Sequence, residues 1–231
     1  MVFYTSVFGK YPLKIPLFHR DARVVVFTDK KIVSYKDVEF INIYQDNYFS
    51  DFIPQDLFGL KLNRFIKYSS HTLFPESHSV YFDSRILLKK QFLTFLQNSI
   101  SYFEWMSPKH RYSESIYDEL DSCLNANLLS HYELNHFERS KFCHKYTPFF
   151  PENGLIFRRN TTSVSTINNS MITNLFNGIL RDQLYFHFYI SRLKFGYFPF
   201  KFNDKNPYYS LKKKPFSNLK QSLKLLKKII S

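Results

Sequence analysis

The chain has 231 residues, 44% of them hydrophobic with 27 Phe and 17 Tyr, enough apolar side chain to fill one sizeable core, and this composition excludes wholesale disorder. Two cysteines, Cys123 and Cys143, are too few for a zinc quartet or for the disulfide framework of a small secreted domain, which points to a reducing, cytoplasmic setting. The net charge is +13, but residues 201–231 hold nine lysines against one acid, Asp204, so +8 of it lies there and only +5 in residues 1–200. That asymmetry speaks against a surface that coats nucleic acid and for a C-terminal arm that meets something anionic.

In chain order, Val2–Val7 reads as a first strand, because it lacks the basic flank and small-residue cleavage site of a signal peptide. Val24–Phe27, Glu39–Ile43 and Val80–Phe82 read as further strands, and Pro54–Ser69 and Lys89–Ser99 as the helices between them. Strand and helix in alternation predict a parallel sheet with helices on both faces, a Rossmann-like first half. Five glycines and no Gly-x-Gly-x-x-Gly loop exclude the ordinary dinucleotide-binding fingerprint. The second half predicts helices over Glu114–Leu129 and Ser130–Phe142 and a short strand over Leu155–Phe157. A Thr/Ser/Asn loop follows, then helices over Asn168–Leu180 and Asp182–Leu193. The most lipid-like run, Leu184 to Phe202, is broken by His187, Arg192, Lys194 and Lys201, whereas a spanning helix needs about 20 nearly uncharged residues. Residues 203–217 read as a linker with Pro207 and Pro215. Beyond it, Leu219, Leu223, Leu226 and Ile230 fall on one face of a last helix flanked by Lys220, Lys224, Lys227 and Lys228. The expected organisation is a domain over 1–202 and a basic arm over 203–231.

Several polar motifs recur at strand ends and loops: Phe27-Thr28-Asp29, then Arg64-Phe65-Ile66-Lys67 with His71, then Tyr81-Phe82-Asp83-Ser84-Arg85. Arg111, Ile116-Tyr117-Asp118-Glu119, Phe150-Pro151-Glu152-Asn153-Gly154-Leu155 and Arg181-Asp182-Gln183-Leu184 follow. The series resembles a glycosyltransferase-like family that includes plant mucilage-related proteins and bacterial capsule-locus transferases, over roughly residues 1–200. The resemblance implies a single α/β domain of the GT-A type, with a mixed, mostly parallel sheet, that moves a sugar from a nucleotide donor, UDP-linked by expectation, to a glycan or lipid-linked acceptor in surface or capsular polysaccharide synthesis. In GT-A transferases the strand-end corner carries Asp-x-Asp; here Arg85 stands in place of the second acid. The family's His three residues before the Arg matching Arg111 is replaced by Pro108, with His110 nearby, and Tyr185 stands where the family has Ser.

The resemblance implies a donor side of Thr28, Asp29, Arg64, Lys67, His71, Asp83 and Arg85, and an acceptor side of Arg111, Glu119, Arg181 and Gln183. The residues add a physical case. Arg64 and Lys67 lie one helical turn apart, so both can reach a diphosphate, Arg as a fork and Lys as a point charge. Asp83 needs help to hold a divalent cation such as manganese or magnesium, and Arg85 offers positive charge directly, which leaves metal-assisted and metal-independent routes open. Glu152 and Asp182 are the acids expected to act on the acceptor hydroxyl, and Asp182-Gln183 also resembles the Asp-Gln element of glycogenin-like retaining transferases. Two other readings compete: a basic nucleic-acid-binding module, and an inactive scaffold of the same fold. Two uses of the arm stay open: binding of residues 219–230 to an anionic membrane on its cytoplasmic face, and a helix that packs its leucines back on the domain with its lysines solvated.

Overall fold

The computed structural model describes residues 1–9, 12–31, 35, 37–46, 57–99, 102–140, 150–202 and 206–211. In chain order these form β1 (Val2–Val7), β2 (Arg23–Thr28), β3 (Glu39–Asn42), α1 (Gly59–Tyr68), α2 (Ser70–Leu73), β4 (His78–Phe82), β5 (Ile86–Leu88) and α3 (Lys90–Ser99). Then come β6 (Trp105–Lys109), α4 (Ile116–Asn125), α5 (His131–Ser140), β7 (Leu155–Arg159), α6 (Thr162–Phe176), α7 (Asp182–Phe186), a 3-10 turn (Ile190–Arg192), β8 (Phe195–Lys201) and β9 (Tyr209–Leu211).

Seven strands make one sheet in the order β3-β2-β1-β4-β7-β6-β8, in which β7 alone runs against its neighbours, and β5 pairs with β9 in a separate antiparallel ribbon. This is the mixed, mostly parallel α/β sheet that the sequence predicts. All six residues of β1 are buried, and β2 is buried after Arg23, because helices cover both faces of the sheet. The period-2 alternation sorts the side chains. Val2, Tyr4, Val25, Phe27 and Tyr81 pack under α1 and α6, while Phe3, Val24, Val80 and Phe82 pack with Phe92 and Leu96 of α3 on the other face.

The first four strands and α1, α3, α4 and α5 lie where the sequence puts them, within a few residues, except that the expected helix start at 54–56 lies outside the described residues. Several expectations are corrected. The Thr/Ser/Asn stretch expected as a loop is the first two turns of α6, capped by Thr161, whose hydroxyl accepts from Val164 N–H. Val164, Ile167, Met171 and Leu175 form its buried stripe together with Asn168, which accepts from Arg158 Nη1 at 2.9 Å, and most of the other polar residues lie on the outer face. The helix expected over Asp182–Leu193 breaks after Phe186, where i→i+3 bonds from Phe188 and Tyr189 tighten the chain into turns. The expected linker over 203–217 contains β9, whose Tyr209 is fully buried. Residues 212–231, including the arm's Leu219, Leu223, Leu226 and Ile230, lie outside the described residues. Among the described residues, no helix is long and apolar enough to cross a membrane.

Candidate functional site

The carboxyl ends of β1, β2 and β4 open into a cavity of about 600 Å³ lined by Ser6, Phe8, Gly9, Asp29, Asn63, Arg64, Asp83 and Arg85, with Tyr44, Phe58, Gly59 and Leu60 at its mouth. Open α/β sheets hold ligands in such a crevice, where strand ends and helix starts leave backbone groups free. Each charged side chain is placed by a local feature. Asp29 follows β2 directly, and Gly9 N–H donates to its Oδ2 at 2.8 Å, while Oδ1 is buried without a hydrogen-bond partner among the described residues. Gly59 opens α1 at a φ of +53°, a left-handed entry that suits glycine and turns the helix in beside the cavity. Asp83 leaves β4 and accepts from the Tyr81 hydroxyl at 3.0 Å, and Arg85 follows in the turn into β5 with no ion-pair partner among the described residues.

Beneath the cavity lies a buried charge cluster. Asp182, 5% exposed at the start of α7, accepts from Lys67 Nζ at 2.7 Å and from the Tyr68 hydroxyl at 2.8 Å through Oδ2, and its Oδ1 lies 3.1 Å from Arg64 Nε. Burial alone would raise the Asp182 pKa, but Arg64 and Lys67 hold it at about 2. Burial also lowers the pKa of Lys67 against the pull of Asp182, whereas Arg64, with Asp182, Tyr81 and Asp83 around it, is held more firmly protonated than usual. The expected turn spacing of Arg64 and Lys67 is present, and both converge on one carboxylate. Arg64 reaches the cavity, while Lys67, 1% exposed, is engaged by Asp182. A second buried cation fixes this helix end. Arg158 Nη2 donates to the Lys67 carbonyl at 2.6 Å and to the Tyr4 hydroxyl, satisfying a carbonyl that α1 leaves free.

Glu152 stands across Gly154 from Asp83. A Cβ on Gly154 would lie 3.0 Å from Asp83 Oδ2 and 3.2 Å from Glu152 Oε1, so the glycine leaves the room in which the two carboxylates sit. Glu152 Oε1 accepts from Gly154 N–H at 3.0 Å and from Gln183 Nε2 at 3.4 Å. Burial first, then the charge of Asp83, push its pKa up to about 7. His110, one residue past β6, brings Nε2 to 3.4 Å from Glu152 Oε2 and 3.8 Å from Glu119 Oε2.

The structure thus brings Asp29, Arg64, Asp83 and Arg85 to one cavity, and leaves Lys67, Asp182, Glu152 and Gln183 outside its lining, the first two joined to it through Arg64, Glu152 beside Asp83 and Gln183 against Glu152. Other expected residues lie elsewhere. Thr28 Oγ1 accepts from Lys30 N–H and shapes the turn after β2, outside the cavity lining. His71 Nε2 meets Asn169 Oδ1 at 2.9 Å, so the ring is taken up by α6, and burial lowers its pKa. Glu119 is buried on α4, where it accepts from the Ser113 hydroxyl at 2.9 Å. Arg111 is exposed and lies over the Tyr112 ring at 4.8 Å, and the Arg181 backbone N–H donates to Glu133 Oε1 at 3.1 Å. Asp182, expected on the acceptor side, instead binds the two cations of α1. Sequence reasoning missed the part of Gly154, of Tyr68 and of His110. Gly154, directly after Glu152-Asn153 and before a strand, was the readable signal among them.

The donor set for a divalent cation is thin. Among the described residues, no group of three or more His, Cys, Asp and Glu side chains converges, and Asp83 Oδ1 already accepts from Tyr81.

The sequence matches no protein-family model and no curated protein. Solved structures do match. The apo structure of WbbM, a bifunctional glycosyltransferase, aligns with a TM-score of 0.51 at 12% identity, over 86% of this chain and 38% of that one. The galactosyltransferase LgtC, in complex with donor and acceptor sugar analogs, aligns with a TM-score of 0.47 at 7% identity, over 85% of this chain and 73% of that one. The chain therefore spans well under half the length of WbbM. The likeness to WbbM, with the strand order above, shows that this domain has a glycosyltransferase fold of the GT-A type.

Proposed function

We propose that this chain is a glycosyltransferase that moves a hexosyl group from a nucleoside diphosphate sugar, UDP-linked by preference, to a saccharide acceptor. The observation that carries the reading is the meeting of Arg64 and Arg85 with Asp29 and Asp83 in one cavity at the carboxyl ends of β1, β2 and β4. A diphosphate needs cations, and here two guanidinium groups are available to it, one braced by Asp182 and one without a partner among the described residues. A nucleoside needs acceptors for its N–H and hydroxyl groups and an apolar face for its ring. Asp29 Oδ1 is a buried acceptor unpaired among the described residues, and the exposed Tyr44 and Phe58 also line the cavity.

As the sugar–phosphate bond breaks, negative charge grows on the leaving diphosphate, and Arg64 and Arg85 stabilise it without rearranging. Glu152, with a pKa of about 7, is the group that takes the acceptor's hydroxyl proton. Asp182 holds Arg64 and Lys67 in place and stays ionised throughout, which moves it from the acceptor side to the support of the donor side. The acceptor is a glycan or lipid-linked saccharide in surface or capsular polysaccharide synthesis. Residues 219–230 hold the enzyme on the cytoplasmic face of an anionic membrane.

Hydrolysis of a panel of nucleotide sugars, with manganese and with chelator, tests the reading. Arg85→Ala should lower turnover more than chelation does, and Glu152→Gln should lower turnover while leaving the donor Kd nearly unchanged, as for an interaction made in the transition state. Activity abolished by chelator and restored by manganese would contradict the part given to Arg85. No turnover with any donor would overturn the reading.

A further inference from the structure

The chain past β6 makes a tight turn around one imidazole. His110 N–H donates to the Phe150 carbonyl at 2.7 Å, which ties the residue to the segment carrying Glu152. Its Nδ1 accepts from Ser113 N–H at 2.8 Å and lies 3.4 Å from Tyr112 N. A nitrogen that accepts a backbone N–H carries no proton of its own, so the ring's single proton sits on Nε2. That nitrogen faces two carboxylates, Glu152 at 3.4 Å and Glu119 at 3.8 Å. The ring cannot take a second proton at Nδ1 without losing the Ser113 bond, and burial pushes its pKa down as well. Glu119 is itself held by the Ser113 hydroxyl at 2.9 Å and by the Cys123 thiol at 3.6 Å, so the imidazole is gripped from both edges.

We propose that His110 is a positioning residue: locked as the neutral Nε2–H tautomer by the Tyr112–Ser113 turn, it keeps the Glu152 carboxylate aimed across Gly154 at the acceptor hydroxyl. The role rests on the reading of Glu152 as the base. Glu152 Oε1 is fixed by Gly154 N–H and Gln183, and only His110 is placed to orient Oε2 among the contacts described for this carboxylate. The 3.4 Å separation is long for a hydrogen bond, as such contacts often are before a substrate closes the site. Lys67 lowers the Glu152 pKa while Asp83 and Asp182 raise it, and an N–H donor at Oε2 works with Lys67 to keep the carboxylate available. His110 does not itself carry the proton away.

Two substitutions separate this role from a merely structural one. His110→Gln keeps an N–H donor near the Nε2 position and loses the acceptor for Ser113. His110→Asn keeps a group near Nδ1 and loses the donor to Glu152. The expected result is donor turnover within about threefold of the parent for His110→Gln and about tenfold or more below it for His110→Asn, the effect of losing one hydrogen bond to a charged group. In His110→Asn the acid limb of the pH profile should also move to higher pH. The reverse order, or parent-like turnover in both, would overturn the proposal. A titration of the Glu152 side-chain carbon by NMR reads the same contact without any turnover. A midpoint raised in His110→Asn and restored in His110→Gln supports the proposal even if no donor is hydrolysed, in which case only the functional reading fails. A midpoint unchanged in both variants counts against it.

Discussion

Asp182 and Glu152 show how two carboxylates near one cavity are driven apart in pKa. Asp182 is buried but faces two cations and sits at about 2, while Glu152 is pushed up to about 7 by burial first and by the charge of Asp83 second. Their effects on stability are opposite in sign. For Asp182 the folded value lies below the ordinary 3.8, so its contribution is complete above that pH and is lost as pH falls towards 2. For Glu152 the folded value lies above the ordinary 4.5, so the fold is favoured by protonation below 4.5 and loses that advantage as pH rises through 7. Glu152→Gln should therefore raise the unfolding midpoint at pH 8 while it lowers turnover, and urea melts at pH 5 and pH 8 check it. A parent and variant of equal stability at pH 8 would show that Glu152 carries no such strain. Asp182→Asn leaves Arg64 and Lys67 buried without their counter-charge and should cost about 3 kcal/mol or more in urea unfolding at pH 7. A loss below about 0.5 kcal/mol, the size of an ordinary surface change, would contradict the buried cluster.

At the scale of elements, β9 closes the second core by laying Tyr209 against Phe200 and Phe202, with ring centroids 5.6 and 5.4 Å away, while its backbone pairs with β5. A chain ending at Pro207 should be destabilised by about 3 kcal/mol relative to one ending at Leu211, the scale of losing a large buried aromatic, and thermal melts of the two decide it. Equal midpoints would make β9 dispensable. The elements that were legible in the sequence are those whose pattern is local. β1 and β2 are short runs rich in β-branched and aromatic residues, and α1 shows Leu62, Phe65 and Ile66 at helical spacing. β6 and β8 were not legible because Pro108 and Pro199 interrupt them, and β6 accommodates its proline at a register shift between Ser107 and Lys109. The cavity-lining charges Asp29, Arg64, Asp83 and Arg85 were legible because they mark strand ends and a helix face. Gly154 could be read from its place between Glu152-Asn153 and a strand, but His110 could not, because its part exists only once β6, α4 and the turn into β7 meet.

At the scale of the whole molecule, a GT-A sheet delivers four charged side chains from separate strand ends and a helix to one cavity, and residues 201–231 carry nine lysines against one acid. The arm's task is checked by sedimenting the full chain and the chain ending at Leu211 with anionic vesicles. Salt-sensitive binding of the full chain alone fits a membrane-bound arm, and equal, salt-insensitive sedimentation of both contradicts it. We propose that the cavity at the ends of β1, β2 and β4 holds the nucleoside diphosphate of a sugar donor. Calorimetric titration with uridine diphosphate of the parent, Arg64→Ala and Asp83→Ala tests it most directly. The account predicts binding to the parent and a loss of about tenfold or more in Arg64→Ala, with weakened binding in Asp83→Ala. Variants that bind like the parent, or a parent that binds no uridine diphosphate, would contradict it.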